Sequence, residues 1–492
     1  MALYMGTGFL PSYGMSATLQ LFALISFITG GLFYIRRSKS STIPKSALPK
    51  FVAFTDEQMR KDPWEAYRHG LEIHGGVIAT TRAGRLLNLY LLPMICGESV
   101  FRDLATTTSQ LMSRDLPAVL RKITPMFQAN AKNLISAGPG TPVDPVPITR
   151  RLVCNAAITV MLGEEFLSDA NHEAVMNTVE AIAELTGLVN EPPFLARLCP
   201  ALWRVVVSFK VAVFRIGLGF GSTLGVHLWR EMSALLQERP DKKNIHKRTV
   251  LSGLVHQQIQ SQNGDLSLSF RSRIRIIILI IGMFFAAIHQ TGAIMVWMLY
   301  GLAMQPESQA QIRAEALRTI NLDPHPHLNP DSDDKNNLNA TINYILNPST
   351  YLDSFVREVL RMKGDILSVV RMTTRDVQVG QYIIPKGKLV LPGVRFSNLS
   401  ASYNGELPNE FRADRWFGGK RSAVTTGPGF LVFGMGKWAC PGRFLAVAEM
   451  KLLILTLIKA AAVGVADGVN VVSDDMTASW SPPQGKLCLT PL

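Results

Sequence analysis

The chain has 492 residues, of which 47% are hydrophobic and 18% charged, with a formal net charge of +13; its mean hydropathy is +0.17. That balance excludes a disordered or fibrous chain and points to a membrane attachment or a large core. Five cysteines (Cys96, Cys154, Cys199, Cys440, Cys488) lie far apart with no C-x-x-C pair, which argues against a disulfide framework or zinc ribbon and for a reducing, cytosol-facing compartment. The basic excess contains no dense cationic run interleaved with aromatics, so an anionic membrane surface or an acidic protein partner suits it better than nucleic acid.

Residues 1–35 carry no charged side chain, and Ser16–Ile35 is apolar over a length that spans a bilayer as helix. Arg36, Arg37, Lys39 and Lys45 follow, and positive residues on that flank alone predict a single signal anchor with the rest of the chain cytosolic. The alternative, a cleaved signal peptide, fits less well because the basic residues come after the apolar run and no A-x-A site follows. Residues 1–35 therefore read as a membrane anchor, 36–50 as a basic hinge stiffened by Pro44 and Pro49, and 51–492 as one globular domain.

Between 51 and 270 the patterns are mostly helical with a few short strands. "TRAGRLLNLYLLP" (81–93) predicts early sheet, whereas "RRLVCNAAITVMLG" and "HLWREMSALLQER" predict helices. No repeat of 20–50 residues is present. A second long apolar run, Ile276–Met304, is interrupted by a single histidine, His289. Alone it fits a second membrane span or a helix buried through a large domain equally well. Asn321–Ala340, rich in Pro, Asn and Asp, reads as a surface loop in which His325 and His327 are solvated rather than metal-bound. Tyr351–Lys363 is an amphipathic helix, the stretch 368–393 a small β-meander with turns at Val379-Gly380 and Pro385-Lys386-Gly387, and Phe444–Ala462 a long apolar helix.

The chemistry concentrates in "FGMGKWACPGRFLA", residues 433–446. Pro441 suits a first helical turn, so Cys440 should sit at a helix N-terminus, where free N–H groups and the helix dipole lower a thiol's pKa. Gly434 and Gly436 permit a tight turn and close approach to a bulky planar group, and Phe433 can shield the sulfur. A shielded thiolate in an N–H-lined pocket is what an axial iron ligand requires.

Phe433, Gly436, Trp438, Cys440 and Gly442 together resemble the haem-binding loop of the cytochrome P-450 family, Phe-x-x-Gly-x-(Arg or His)-x-Cys-x-Gly. Trp438 departs from it: its indole N–H offers one uncharged hydrogen bond where the family uses a cation for a haem propionate. The resemblance extends over nearly the whole chain. It implies that Glu358 and Arg361, three apart on one helix face, join Arg415 of "FRADRW" in a buried three-way ion network that holds the loop presenting Cys440. It implies that Arg371 reaches a propionate. It also matches "AAIHQT" to the oxygen-activating segment of the central helix, so that His289, Gln290 and Thr291 stand at the catalytic positions, with Ala286, Ala287 and His289 lining the substrate pocket. His289 is a familiar variant among fungal members similar to ent-kaurene oxidase. Gln290 replaces a threonine that helps deliver protons during oxygen activation, and Thr291 or a water is the substitute. Because both halves must wrap one haem, Ile276–Met304 is expected to be buried.

The implied protein is mainly α with small β-sheets, with the cytochrome P-450 fold as a single haem-binding domain and one N-terminal transmembrane helix in the endoplasmic reticulum membrane. It would be a haem-thiolate monooxygenase with haem b ligated by Cys440, supplied with electrons from NADPH by a membrane-bound reductase docking near Lys437 and Arg443. The substrate would be a hydrophobic small molecule of fungal secondary metabolism. Two rivals remain: an oxygen-independent haem-thiolate isomerase or dehydratase, motivated by Gln290, and a non-catalytic haem- or lipid-binding membrane protein.

Overall fold

The computed structural model describes residues 44–52, 63–74, 77–79, 106, 108–109, 115–135, 140–186, 199–237, 249–261, 267–320, 334–364, 371–390, 392–436, 439–466 and 485–492. The expected anchor at 1–35, the early sheet at 81–93, His325, His327, Lys437 and Trp438 lie outside the described residues.

Helices dominate: α1 (Pro63–Ile73), α2 (Leu116–Ile135), α3 (Pro145–Met161), α4 (Asp169–Thr186), α5 (Pro200–Phe209), α6 (Val226–Gln237), α7 (Val250–Ser261), α8 (Phe270–Ala303), α9 (Pro306–Ile320), α10 (Asp334–Leu346), α11 (Tyr351–Lys363), the short α12 (Val394–Asn398) and α13 (Ala401–Asn404), and α14 (Arg443–Ile458). A π-helical stretch, Lys210–Gly225, joins α5 to α6. The strands are β1 (Lys50–Phe51), β2 (Ile78–Ala79), β3 (Pro142–Val143), β4 (Arg371–Met372), β5 (Val377–Val379), β6 (Tyr382–Ile384), β7 (Leu389–Val390), β8 (Ala461–Val465) and β9 (Leu487–Pro491).

Capping chemistry starts the helices that matter most. Ser269 caps α8 by accepting the Ser272 N–H at 3.1 Å. Asp144 caps α3 through the Val146 N–H, with prolines in the first turn. Thr350 caps α11 through the Asp353 N–H at 3.0 Å. Each such cap satisfies a donor that the helix itself leaves orphaned.

α8 runs through the centre, packed against α3, α4, α11, α14 and β8. From Ile276 onward most of its side chains are buried in protein, so the second apolar run is a core helix and not a span. α14 packs on the opposite side of the core against α2, α8, α9, α11 and β8. Its residues from Val447 to Ile458 are all buried, and each fully buried Leu or Ile contributes roughly 1.5–3 kcal/mol.

The other long apolar helix behaves oppositely. From Val205 to Gln237 it is apolar enough to cross a membrane, yet it exposes Val206, Phe209, Val213, Phe214 and Leu218.

Three expectations change in detail. The stretch 371–390 is not a sequential meander: β4 pairs antiparallel with β7, enclosing the β5–β6 hairpin, with the turns at Gly380 and Gly387 as read and both glycines at positive φ. The loop assigned to 321–340 turns helical from Asp334, where Leu338, Ile342 and Ile345 recur at helical spacing and Ile342 and Ile345 are buried. The helix expected to reach Ala462 ends at Ile458, and Ala461–Val465 becomes β8, which pairs antiparallel with β9 along its length.

Candidate functional site

The cysteine loop enters from a tight turn in which the Gly427 and Phe430 backbones bond each other. Gly434 and Gly436 take φ of 71° and 68°, the left-handed region that glycine occupies without penalty. The loop closes on itself: the Cys440 N–H donates to the Phe433 carbonyl at 2.7 Å, and the Ala439 N–H to the Gly436 carbonyl at 3.0 Å. Phe433 packs half-buried against the core, its ring 6.3 Å from Phe430 in an edge-on contact. Gly442 caps α14, and a Cβ added to it would lie 3.8 Å from the Cys440 sulfur.

Cys440 thus sits where the sequence places it, just ahead of α14, where the N–H groups of Gly442 and Arg443 favour the ionised form of its sulfur. The electrostatic expectation changes. Cys440 keeps accessible surface, but dense protein around the sulfur outweighs the donors and the Arg443 charge, so its pKa is raised. The protein supplies the donors for a thiolate; a bound cation would have to supply the rest.

Arg443 also braces the loop. Its guanidinium donates to the carbonyls of Cys440 at 2.8 Å and Val424 at 3.1 Å.

The ion network is formed in full. Arg361 binds Glu358 with two hydrogen bonds, 2.9 Å to Oε2 and 2.7 Å to Oε1. Arg415 Nε donates to Oε1 at 3.0 Å. Both Glu358 and Arg361 side chains are wholly buried. Burial pushes the Glu358 carboxyl up, but Arg361, the Arg412 N–H and Arg415 together hold it below its ordinary range. The two arginines also donate to the carbonyls of Asn398, Asn404, Glu406, Leu407, Pro408 and Glu410, so the network pins the irregular chain between α12 and Arg415.

Two partners of Glu358 were not read from the sequence: the indole of Trp416, at 2.9 Å from Oε2, and the backbone N–H of Arg412. Trp416 follows Arg415 directly, which was the available signal.

A second buried pair was also missed. Asp353 on α11 lies 2.5 Å from Lys451 on α14, as a charge pair without hydrogen-bond alignment, and accepts the Ala423 N–H at 2.8 Å. Nothing in the spacing of two residues so far apart could have signalled it. Glu449, buried on α14 with no polar partner among the described residues, has its pKa pushed up to about 8 by burial.

On α8, Ala286 is exposed in the middle of an otherwise packed helix, while Ala287, His289 and Gln290 are half-buried. Ala286 and Gln290, four residues apart, share a face. Thr291 is 7% exposed, so the hydroxyl expected to substitute for the missing threonine lies in the core. His289 stacks on Phe285 with centroids 6.1 Å apart, and burial, then the Arg150 charge, lowers its pKa. Arg371 sits exposed in β4, opposite Val390.

The residues fit a haem-type group. A cysteine with accessible surface faces N–H donors, and an added Cβ at Gly436 would meet only open space. Among the described residues no cluster of three or more His, Cys, Asp or Glu could hold a metal by itself.

Comparison with known proteins places this geometry. "Cytochrome P450 2D10" of Mus musculus is 24% identical over 343 residues, 68% of this chain and 61% of that protein. "Cytochrome P450 monooxygenase 103" of Postia placenta is 31% identical over 183 residues, 35% of this chain and 33% of that protein. "Cytochrome P450 monooxygenase sphH" of Aspergillus fumigatus is 28% identical over 216 residues, 41% and 38% of the two chains. The chain therefore spans less than two thirds of the length of these relatives. A solved structure titled "Retinoic acid bound cyanobacterial CYP120A1" superposes with a TM-score of 0.60 over 90% of this chain and 99% of that one, at 16% identity, which speaks for the fold. The family model described as Cytochrome P450 matches residues 100–489, and with the cysteine loop and the Glu358 network inside that range, the chain belongs to the cytochrome P450 family.

Proposed function

We propose that this chain is a membrane-anchored haem-thiolate monooxygenase acting on a hydrophobic small molecule. The observation that carries the proposal is Cys440, which keeps accessible surface at the head of α14, beside the backbone N–H groups of Gly442 and Arg443 that favour its ionised form. Cys440 would ligate the iron, with Phe433, Gly436 and Gly442 shaping the loop and Trp438 and Arg371 serving the propionates. Glu358, Arg361 and Arg415 hold the loop. Haem b, when bound, supplies the oxygen-activating redox chemistry. On α8, His289 stays neutral at physiological pH, and Gln290 offers hydrogen bonds from the face it shares with Ala286.

The printed names of the Postia and Aspergillus relatives as monooxygenases support the reaction class; we extend it to a role in fungal secondary metabolism, by hydroxylation, epoxidation or oxidative cyclisation. Electrons would come from NADPH through a membrane-bound reductase. The apolar Ser16–Ile35, followed by basic residues, supports single-pass anchoring in the endoplasmic reticulum membrane, with 36–50 as hinge and 51–492 as the cytosolic domain. The exposed apolar face of α5 and the π-helical stretch, in a run without Asp or Glu from Pro200 to Arg230, supports a membrane surface nearby.

One observation favours a second reading. Gln290 lacks a hydroxyl and Thr291 is buried, which suits an oxygen-independent isomerase or dehydratase. Incubating membranes that contain this chain and a reductase with terpenoid, alkaloid and polyketide candidates separates the readings. The monooxygenase gives product carrying an atom from labelled dioxygen, and only with NADPH. Product under argon without NADPH establishes the second reading. Ligand binding with no turnover under either condition establishes a non-catalytic binder.

A further inference from the structure

Arg357 is among the largest fully buried side chains of the molecule, 1% exposed. It precedes Glu358 on α11, but its own hydrogen bonds go elsewhere. Its guanidinium lies 3.9 Å from the ring centroid of Phe430 and 4.8 Å from that of Trp416. Nη1 donates to the carbonyls of Ser422 at 2.5 Å and Thr425 at 2.9 Å. Nε has no hydrogen-bond partner among the described residues.

These contacts converge on the chain that leads into the cysteine loop. Residues 422–425 belong to no helix or strand, and side chains hold their backbone. Asp353 takes the Ala423 N–H, Arg443 the Val424 carbonyl, and Arg357 the carbonyls on either side. Phe430, against which the same guanidinium packs, touches Phe433, and the Phe433 carbonyl holds the Cys440 N–H. Arg357 therefore grips the run into the loop at both ends, and only Leu431 and Val432 separate its aromatic contact, Phe430, from Phe433, the residue that anchors Cys440.

Stability alone accounts poorly for such a group. A buried guanidinium is costly to desolvate, and an apolar side chain of similar volume often serves packing as well or better. Burial, then the neighbouring Arg421 charge, lowers its pKa to about 9, so it remains charged at neutral pH. What an apolar residue could not supply is a planar guanidinium, one nitrogen of which binds two carbonyls while its face covers two rings.

We propose that Arg357 is a positioning residue for Cys440, fixing the approach of the loop so that the sulfur stays a thiolate ligand to bound haem. The proposal rests on the haem-thiolate reading above. It predicts that loss of the fork loosens the sulfur without dismantling the Glu358 network, and that a lysine, which keeps the charge but not the plane, does not rescue it.

The test compares full-length wild type, Arg357→Lys and Arg357→Gln in membranes. Haem content is measured, with the carbon monoxide spectrum of the reduced protein followed as pH is lowered. The wild type should show the strongly red-shifted Soret band of a thiolate ligand. Both variants should load haem, but with at least half of it in the shorter-wavelength band, and the remaining thiolate band should collapse at least one pH unit above the wild-type midpoint. Wild-type bands and midpoints in both variants overturn the proposal. So does loss of haem or fold in both with the residual band unchanged, because Arg357 is then only a structural residue. If only Arg357→Gln fails to fold, Arg357→Lys decides. A wild type without the thiolate band contradicts the haem-thiolate reading itself, a result distinct from a wild-type-like Arg357 variant.

Discussion

The half of the molecule that presents Cys440 and the middle of α8 are built on opposite terms. Around Cys440 the backbone is irregular, and charged side chains, all but Arg443 buried, hold it in place: Glu358 with Arg361 and Arg415, Asp353 with Lys451, and Arg357 and Arg443 on carbonyls. In the middle of α8 the backbone is regular helix, and Ala286, Ala287 and Gln290 leave one face only partly covered. A regular helix needs no side chains to satisfy its backbone, so its residues are free to vary; a loop that must hold one sulfur needs all its donors and acceptors matched. Change should therefore be costly near Cys440 and cheap on α8.

The largest effect is expected at Glu358. Glu358→Gln leaves Arg361 and Arg415 buried without their counter-charge, a cost of about 3–5 kcal/mol, and should abolish haem incorporation, read as haem per protein and as thermal unfolding. The same carboxylate gives an acid limit. Its folded pKa lies below that of the unfolded chain, so its stabilisation is fully present above the ordinary carboxylate range and is lost as pH falls through the depressed folded value. Denaturant unfolding at falling pH should show that loss in the wild type and not in Glu358→Gln.

Glu449 gives the opposite slope. Its folded pKa of about 8 exceeds the unfolded value, so the folded state binds the extra proton and stability should fall as pH rises from the carboxylate range through about 8. The full difference is on the order of 5 kcal/mol. Glu449→Gln should flatten the alkaline limb in the same unfolding series; an unchanged limb would mean that Glu449 is not the titrating group.

A smaller effect is expected at Gly364, the C-cap of α11. A Cβ there would lie 2.5 Å from the Leu360 carbonyl and 2.6 Å from Val432, just ahead of the cysteine loop. Gly364→Ala should cost roughly 1–3 kcal/mol, measured as a lowered unfolding midpoint with partial haem loss. Smallest of all, Gln290→Thr should leave haem content unchanged and stability within about 1 kcal/mol, while altering the ratio of product formed to NADPH consumed. A haem loss at Gln290→Thr as large as at Gly364→Ala would break the comparison.

Legibility in the sequence followed the same division. The Glu358 network and the position of Cys440 were readable because family motifs carry them at short or familiar spacing. Asp353, Lys451 and Arg357 were not, because a buried charge pair between two helices far apart in sequence leaves no local pattern. The burial of α8 followed from motifs elsewhere; its own composition fits a span as well, and another run apolar enough to cross a membrane, from Val205, is largely exposed. The raised pKa of Cys440 was missed for a related reason. The helix N-terminus is visible in Pro441 and Gly442, whereas the desolvation that outweighs it comes from the tertiary packing around the sulfur.

The central claim is that this half of the molecule exists to hold Cys440 as an iron ligand, and the carbon monoxide difference spectrum of the reduced protein tests it most directly, with Cys440→Ala alongside. The account predicts a strongly red-shifted Soret band in the wild type that is absent from Cys440→Ala. A band unaffected by the substitution, or no haem in the wild type, would contradict it.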